Sequence, residues 1–111
     1  MGEFIVEDVA WKKGEEGLQS FILFESDGIT RRDGTGKTYT FAFWKRGATV
    51  VKGSGTLVKT DEVQGEYDYT VLAGDTDTID DYIGEVIEDP GGTKLRSETF
   101  EVCVEESSDF T

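Results

Sequence analysis

Apolar and polar residues alternate with a period of two along most of the chain, which is the pattern of half-buried β-strands. In "GEYDYTVL" (65–72), for example, Tyr67, Tyr69 and Val71 share one face of the predicted strand. Similar runs occupy 4–11, 18–26, 38–45, 56–59, 81–88 and 94–106, and 46–55 reads as a short hairpin-like excursion. Helical periodicity is almost absent, so the pattern predicts strands nearly throughout.

Turn signals separate these runs. The chain has fourteen glycines and one proline, and "DPGG" (89–92) places proline and glycine as a hairpin turn requires. About seven or eight short strands predict an all-β fold, an immunoglobulin-like antiparallel β-sandwich. A small barrel of the OB type is the alternative. We expect a single domain over residues 1–106 and a flexible C-terminal tail over 107–111.

Some strands are apolar on both faces, whereas a sandwich strand with one solvent-exposed face should be polar on that face. The apolar residues on the outer faces predict an interface with another protein. The alternative is that bulges or register shifts cover these residues within the protein itself. The interface candidates are Ile22, Phe24, Trp44, Ile83 and Ile87. Trp44 is the residue most expected at such an interface, because buried tryptophan often anchors binding energy.

Four aspartates, Asp75, Asp77, Asp80 and Asp81, lie within seven positions. Their spacing keeps part of a calcium-loop pattern, but the glycine of an EF-hand loop is missing and the flanks are strand-like. The favoured interpretation is structural, with aspartates capping tight loops through their side chains.

Tyr82 follows the aspartates at the start of a strand. This is the form of a tyrosine corner, in which the tyrosine hydroxyl bonds to upstream backbone where the chain passes between sheets. We therefore expect Tyr82 to be a structural corner, and we expect no metal beyond the calcium alternative.

The charge and the reactive residues narrow the function classes. With 24 acidic and 11 basic residues the net charge is −13, which argues against nucleic acid and anionic membranes as partners. The absence of histidine excludes Ser-His-Asp and Cys-His machinery, and no nucleophile–base pair is evident, so we expect no enzymatic activity and no cofactor. Cys103 is the sole cysteine, which fits a reducing cytoplasm. The N-terminal residues do not predict a signal peptide.

The order of these motifs resembles a known family. "FILFESDG", "DGTGKTYTFAFWK", "GEYDY", "AGDTDTIDDYIGEVIEDPGG" and "ETFEVCV" follow one another, and together they resemble the N-terminal immunoglobulin-like domain of phage baseplate upper proteins, also found as a small stand-alone structural protein. The likeness covers about residues 14 to 104. Here "DGTGK" stands for the usual L-T-G, and "DDYIG" has its glycine after the tyrosine. The resemblance implies a virion building block.

Two functions are therefore expected. The first is a non-enzymatic structural virion protein of a tailed virus, a tail or baseplate component or a capsid decoration protein, which docks on other virion structural proteins and forms a homo-oligomer within the assembly. Its location would be the virion, assembled in the host cytoplasm. The alternative is an adhesion or carbohydrate-binding module, with or without the assistance of calcium, that uses Tyr67, Tyr69 or Trp11 as sugar platforms. An acidic mimic that inhibits a nucleic-acid-binding protein rests on the charge alone.

Overall fold

A computed structural model describes residues 4–89 and 94–106 and shows strands throughout, joined by turns. The strands are β1 (Ile5–Val6), β2 (Val9–Lys12), β3 (Gly17–Phe24), β4 (Thr38–Lys45), β5 (Gly53–Thr56), β6 (Val58–Asp61), β7 (Glu66–Val71), β8 (Asp80–Asp89), β9 (Leu95–Arg96) and β10 (Phe100–Glu105). The two helical elements of this part of the chain are 3₁₀ turns, Glu62–Gln64 and Ala73–Asp75.

The strands form two sheets. The first, called sheet I, has the order β1-β3-β7-β6, and the second, sheet II, has the order β2-β10-β8-β4-β5, with β9 beside β8. Buried side chains of both sheets form one core between them. The prediction of an all-β, immunoglobulin-like sandwich is therefore confirmed. It was wrong in one detail, because β2 pairs with β10 in parallel, with Val9 opposite Val102.

The predicted strand over 4–11 is two strands in different sheets. Phe4 and Val6 are buried, and Trp11 is buried in the same core with Val9, so the inward positions change from even to odd numbers between β1 and β2. Within one strand the inward-facing positions are either all even or all odd, because side chains alternate strictly between the two faces. The chain therefore leaves sheet I after β1 and joins sheet II at β2.

Two other predicted runs also divide into two strands, the first between the sheets and the second within sheet II. The chain passes from β5 in sheet II to β6 in sheet I at the buried Leu57. The run over 94–106 divides into β9 and β10 around Ser97, whose hydroxyl accepts a hydrogen bond from the Val86 N–H at 3.0 Å. The turn predicted at "DPGG" lies mostly outside the described residues, although its flanking strands β8 and β9 pair antiparallel. The tail predicted over 107–111 also lies outside them.

Aromatic rings fill the centre of the sandwich. Phe41 on β4 is fully buried, and its ring centroid lies 4.8 Å from that of Tyr69 and 4.9 Å from that of Phe21. Trp11 packs edge-on against Phe43 at 5.5 Å. Burying a ring of this size contributes roughly 1.5–3 kcal/mol, so these buried rings are a main source of the hydrophobic free energy that stabilises the fold.

Candidate docking surfaces

The five predicted interface candidates lie on two opposite outer faces. Ile22 and Phe24 are on the outer face of sheet I, where Ile22 lies opposite Glu66 of β7. Trp44 and Ile83 lie opposite each other on β4 and β8, and they share the outer face of sheet II with Ile87. All five are partly exposed. The structure therefore divides these residues into two small sets on opposite sides of the molecule.

Asp75, the first of the four aspartates, is a buried structural group. Its side chain accepts hydrogen bonds from the Tyr69 hydroxyl at 2.6 Å and from the Leu72 N–H at 2.9 Å. A Cβ at Gly53 would lie 2.2 Å from its Oδ1 atom, so glycine at that position makes room for the carboxylate. Burial, together with the bond to Asp75, raises the pKa of Tyr69 above its usual value.

The other three aspartates have separate partners. Asp77 pairs with Lys52, Asp80 pairs with Lys45 at 3.0 Å, and Asp81 lies opposite Cys103 in the ladder between β8 and β10. Among the described residues, no three acidic, histidine or cysteine side chains are grouped so that they could hold a metal ion. The aspartate run thus stabilises a loop at Asp75 and Asp77 and the start of β8 at Asp80.

These contacts connect three loops at one end of the sandwich. We call this region the loop end, and define it as residues 13–16, 46–52 and 72–79. Thr76 bridges the first and third loops, because its carbonyl accepts from the Gly14 N–H at 3.0 Å and its hydroxyl donates to the Glu15 carbonyl at 2.8 Å. The pair between Lys52 and Asp77 joins the second loop to the third.

Large apolar side chains are exposed at the loop end and on the strand beside it. They are Leu18 (70% exposed), Val50 (75%), Val51 (51%), Leu72 (58%) and Ile79 (49%). The sequence did not predict this set, because the interface candidates were chosen from strands that are apolar on both faces. The available signal was an apolar pair, Val50 and Val51, within a segment that reads as a turn.

The loop end is close to neutral in a strongly acidic chain. It contains three basic residues (Lys13, Arg46 and Lys52) and four acidic ones (Glu15, Glu16, Asp75 and Asp77), so its net charge is −1 of the total −13. Protein interfaces are depleted of charge at their centres. In its charge and its exposed apolar side chains, the loop end has the features of a docking surface.

Tyr82, the predicted corner residue, is buried at the start of β8. Its hydroxyl donates to the Thr78 carbonyl at 3.4 Å, and its ring packs edge-on against Phe43 at 5.4 Å. Burial raises the pKa of its hydroxyl. Tyr82 therefore lies where the third loop of the loop end passes into sheet II.

A buried charged cluster lies at the opposite end of the sandwich, and sequence reasoning missed it. Glu88 is 1% exposed and accepts hydrogen bonds from Arg32 Nε at 3.0 Å and from the Tyr39 hydroxyl. Arg32 also bonds Glu25 at 2.6 Å, and its guanidinium lies 4.7 Å from the Phe4 ring centroid. Burial alone would raise the pKa of Glu88, but the bonds from Arg32 and Tyr39 outweigh it and lower the pKa.

The aromatic residues named as sugar platforms are in the core. Trp11, Tyr67 and Tyr69 are each at most 3% exposed. A sugar stacks only on an exposed ring face, so these three residues cannot act as the platforms of the carbohydrate-binding alternative. In the described part of the chain, no helix has the length and apolarity that crossing a membrane requires.

The geometry defines the class of protein, an immunoglobulin-like β-sandwich in which hydrogen bonds and an ion pair join three loops at one end. Among solved structures, one described as the N-terminal domain of phage TP901-1 ORF48 matches this chain with a TM-score of 0.68 at 14% identity, covering 96% of this chain and 100% of that one. At this identity the match shows a shared fold. No protein-family profile matches the chain, and no curated protein matches it significantly.

Proposed function

We propose that this protein is a non-enzymatic structural protein of a tailed virus, and that it acts by docking on neighbouring virion proteins. The observation that carries the proposal is the match, over nearly all of this chain, to a sandwich domain from a phage. The order of turn and strand motifs supports the same role independently, because it resembles a baseplate domain. A tail or baseplate component has a role of this kind, and so does a capsid decoration protein.

The loop end is the surface on which we place the docking. Exposed apolar residues such as Val50 and Leu72 gain free energy when a partner removes them from water. The hydrogen bonds of Thr76 and Asp75 hold the loops in place, so little conformational entropy is lost on binding. The near-neutral charge lets acidic proteins approach, and these include further copies of this chain.

The remainder of the surface fits a place within a protein assembly. The acidic charge outside the loop end disfavours nucleic acid and anionic membranes as partners. It also keeps the free protein soluble before assembly. We therefore place the protein in the virion, as a homo-oligomer in contact with other structural proteins.

The test is incorporation into virus particles. Particles are purified on density gradients from producing cells, and the protein is quantified against the major capsid protein by mass spectrometry. We expect a fixed ratio for the wild type and at least about a tenfold loss for the double variant Val50→Thr/Val51→Thr, which keeps side-chain shape and removes apolar surface. Ile29→Thr, at an 80% exposed position of the opposite end, is the matched control and should incorporate normally.

Two results would contradict the proposal. Absence of the wild-type protein from purified particles would remove the virion role. Equal incorporation of the loop-end variant and the control would leave the virion role and reject the loop end as the docking surface.

A further inference from the structure

Strand β3 has an open edge along most of its length. It contains eight residues, and β1 pairs only with Leu23 and Phe24. Among the described strands, none lies beside Gly17–Ile22 on that side, because the chain leaves sheet I after β1 and β2 joins sheet II.

The register shows which backbone groups this edge presents. The Leu23 N–H donates to the Gly65 carbonyl at 2.9 Å, so odd-numbered residues of β3 direct their hydrogen-bonding groups toward β7. Leu18 and Ser20 therefore direct theirs toward the open edge. The Ser20 carbonyl is held there by the side-chain amide of Gln19 at 2.8 Å, which is a bond that an incoming backbone N–H can replace.

The other sheet edges are protected by devices that β3 lacks. Strand β6 has a bulge after Lys59, β5 has four residues of which two are glycines, and β2 has four residues and ends at Lys12. Short strands, bulges and lysines are the usual means by which proteins prevent strand addition at an edge. Segment Gly17–Ile22 is longer and contains no lysine, arginine or proline.

A crease of about 190 Å³ runs alongside this edge, lined by residues 6–9 and 19–22. Glu7 and Asp8 are among its lining residues, and the Asp8 carboxylate accepts a hydrogen bond from the Glu101 N–H at 2.9 Å. Asp68 lies opposite Ser20 on β7, bonded to its hydroxyl at 3.1 Å. Neither lining segment contains a basic residue. The charge of the site therefore favours an occupant that carries lysine or arginine.

We propose that the open edge of β3 binds an extended, basic segment of a partner protein, which adds a strand to sheet I antiparallel to β3. Backbone bonds to Leu18 and Ser20 provide the pairing, and Glu7, Asp8 and Asp68 select positive charge. A second copy of this chain fits poorly, because its own β3 edge would bring these carboxylates against each other. This surface is separate from the loop end, so failure of either proposal leaves the other testable.

The probe is a capped peptide of about ten residues in which lysine and valine alternate. We expect it to slow amide hydrogen exchange at Leu18 and Ser20, and to bind less tightly as salt is added. Ser20→Pro removes an edge-directed N–H and the hydroxyl bonded to Asp68 without breaking a backbone bond to β7, and should weaken binding about tenfold or more. Ser20→Ala removes the hydroxyl alone and should bind like the wild type. Ser54→Pro is the matched control, because Ser54 directs its N–H to the open edge of β5, and it should bind like the wild type.

Several outcomes would overturn the proposal. They are unchanged exchange at Leu18 and Ser20, equal binding of Ser20→Pro and the wild type, and equal binding of a peptide with glutamate in place of lysine. Protection of Leu18 and Ser20 that rises with protein concentration, in the absence of peptide, would assign the edge to a second copy and would likewise reject the basic segment.

Discussion

At the scale of single residues, Arg32 and Glu88 form an ion pair in which Glu88 is 1% exposed. Glu88 lies within the inward phase of β8, between the core residue Val86 and the end of the strand. A carboxylate taken out of water is costly unless it is paired and hydrogen-bonded. Arg32 and Tyr39 meet this requirement, so removing Arg32 leaves an uncompensated buried charge.

Arg32→Met should therefore lower the free energy of unfolding by about 3–5 kcal/mol, measured by urea denaturation near neutral pH. Lys12→Met is the control, because Lys12 pairs with Glu105 where both side chains are about half exposed, and its loss should cost less than about 1 kcal/mol. Similar losses for the two variants would show that the buried pair contributes no more than a surface pair.

The same pair gives a pH dependence. The folded-state pKa of Glu88 is lowered below its ordinary value of 4.5, so its contribution is complete above that pH and is lost as the pH falls through the folded-state pKa. The difference in unfolding free energy between the wild type and Glu88→Gln should therefore shrink between neutral pH and about pH 3. A difference that stayed constant or grew on acidification would contradict this assignment.

At the scale of elements, close approach of β8 and β10 depends on a glycine. A Cβ at Gly84 would lie 2.7 Å from the Phe100 ring and 2.8 Å from a Val102 methyl, although Gly84 pairs directly with Phe100 in the ladder. The ring of Phe100 occupies the space that a side chain at position 84 would fill, and it stacks on Phe41 in the core.

Gly84→Ala should destabilise the protein by about 1–3 kcal/mol, because the added methyl forces Phe100 or the strand to move. Gly74→Ala is the matched control, since a Cβ there meets nothing within 4 Å, and its effect should stay within about 0.5 kcal/mol. Thermal unfolding followed by circular dichroism distinguishes the two, and equal melting temperatures would reject tight packing at Gly84.

The alternation of side chains was sufficient to predict most strands and their buried faces. For instance, β4 coincides with its predicted run over 38–45, and Tyr39, Phe41 and Phe43 are buried as one face. The sheet to which each strand belongs was harder to predict. The crossing between β1 and β2 appears in the sequence only as a change of the buried positions from even to odd numbers at Glu7 and Asp8. Arg32, Tyr39 and Lys52, the partners of Glu88 and Asp77, are more than twenty residues away in the sequence, and no local pattern specifies such contacts.

At the scale of the whole molecule, the charge is distributed unevenly. The loop end is nearly neutral, whereas the rest of the surface carries almost all of the net charge of −13. Self-repulsion of this size opposes the compact state and is reduced when salt screens the carboxylates. The free protein should consequently be more stable at higher ionic strength.

The melting temperature should therefore rise as potassium chloride is increased from about 0.01 M to about 0.5 M. Calcium and magnesium chloride at matched ionic strength should give equal melting temperatures, because the four aspartates between 75 and 81 have separate partners. A melting temperature independent of salt would contradict the repulsion argument, and a rise specific to calcium would revive a metal site in the aspartate run.

An image of the assembled particle would show whether this protein docks within a virion through its loop end. The measurement is a cryo-electron-microscopy reconstruction of purified particles at a resolution that shows individual strands. We expect density for this sandwich with residues 46–52 and 72–79 against a neighbouring protein. A reconstruction in which the sandwich is absent, or is present with both of these loops facing solvent, would contradict it.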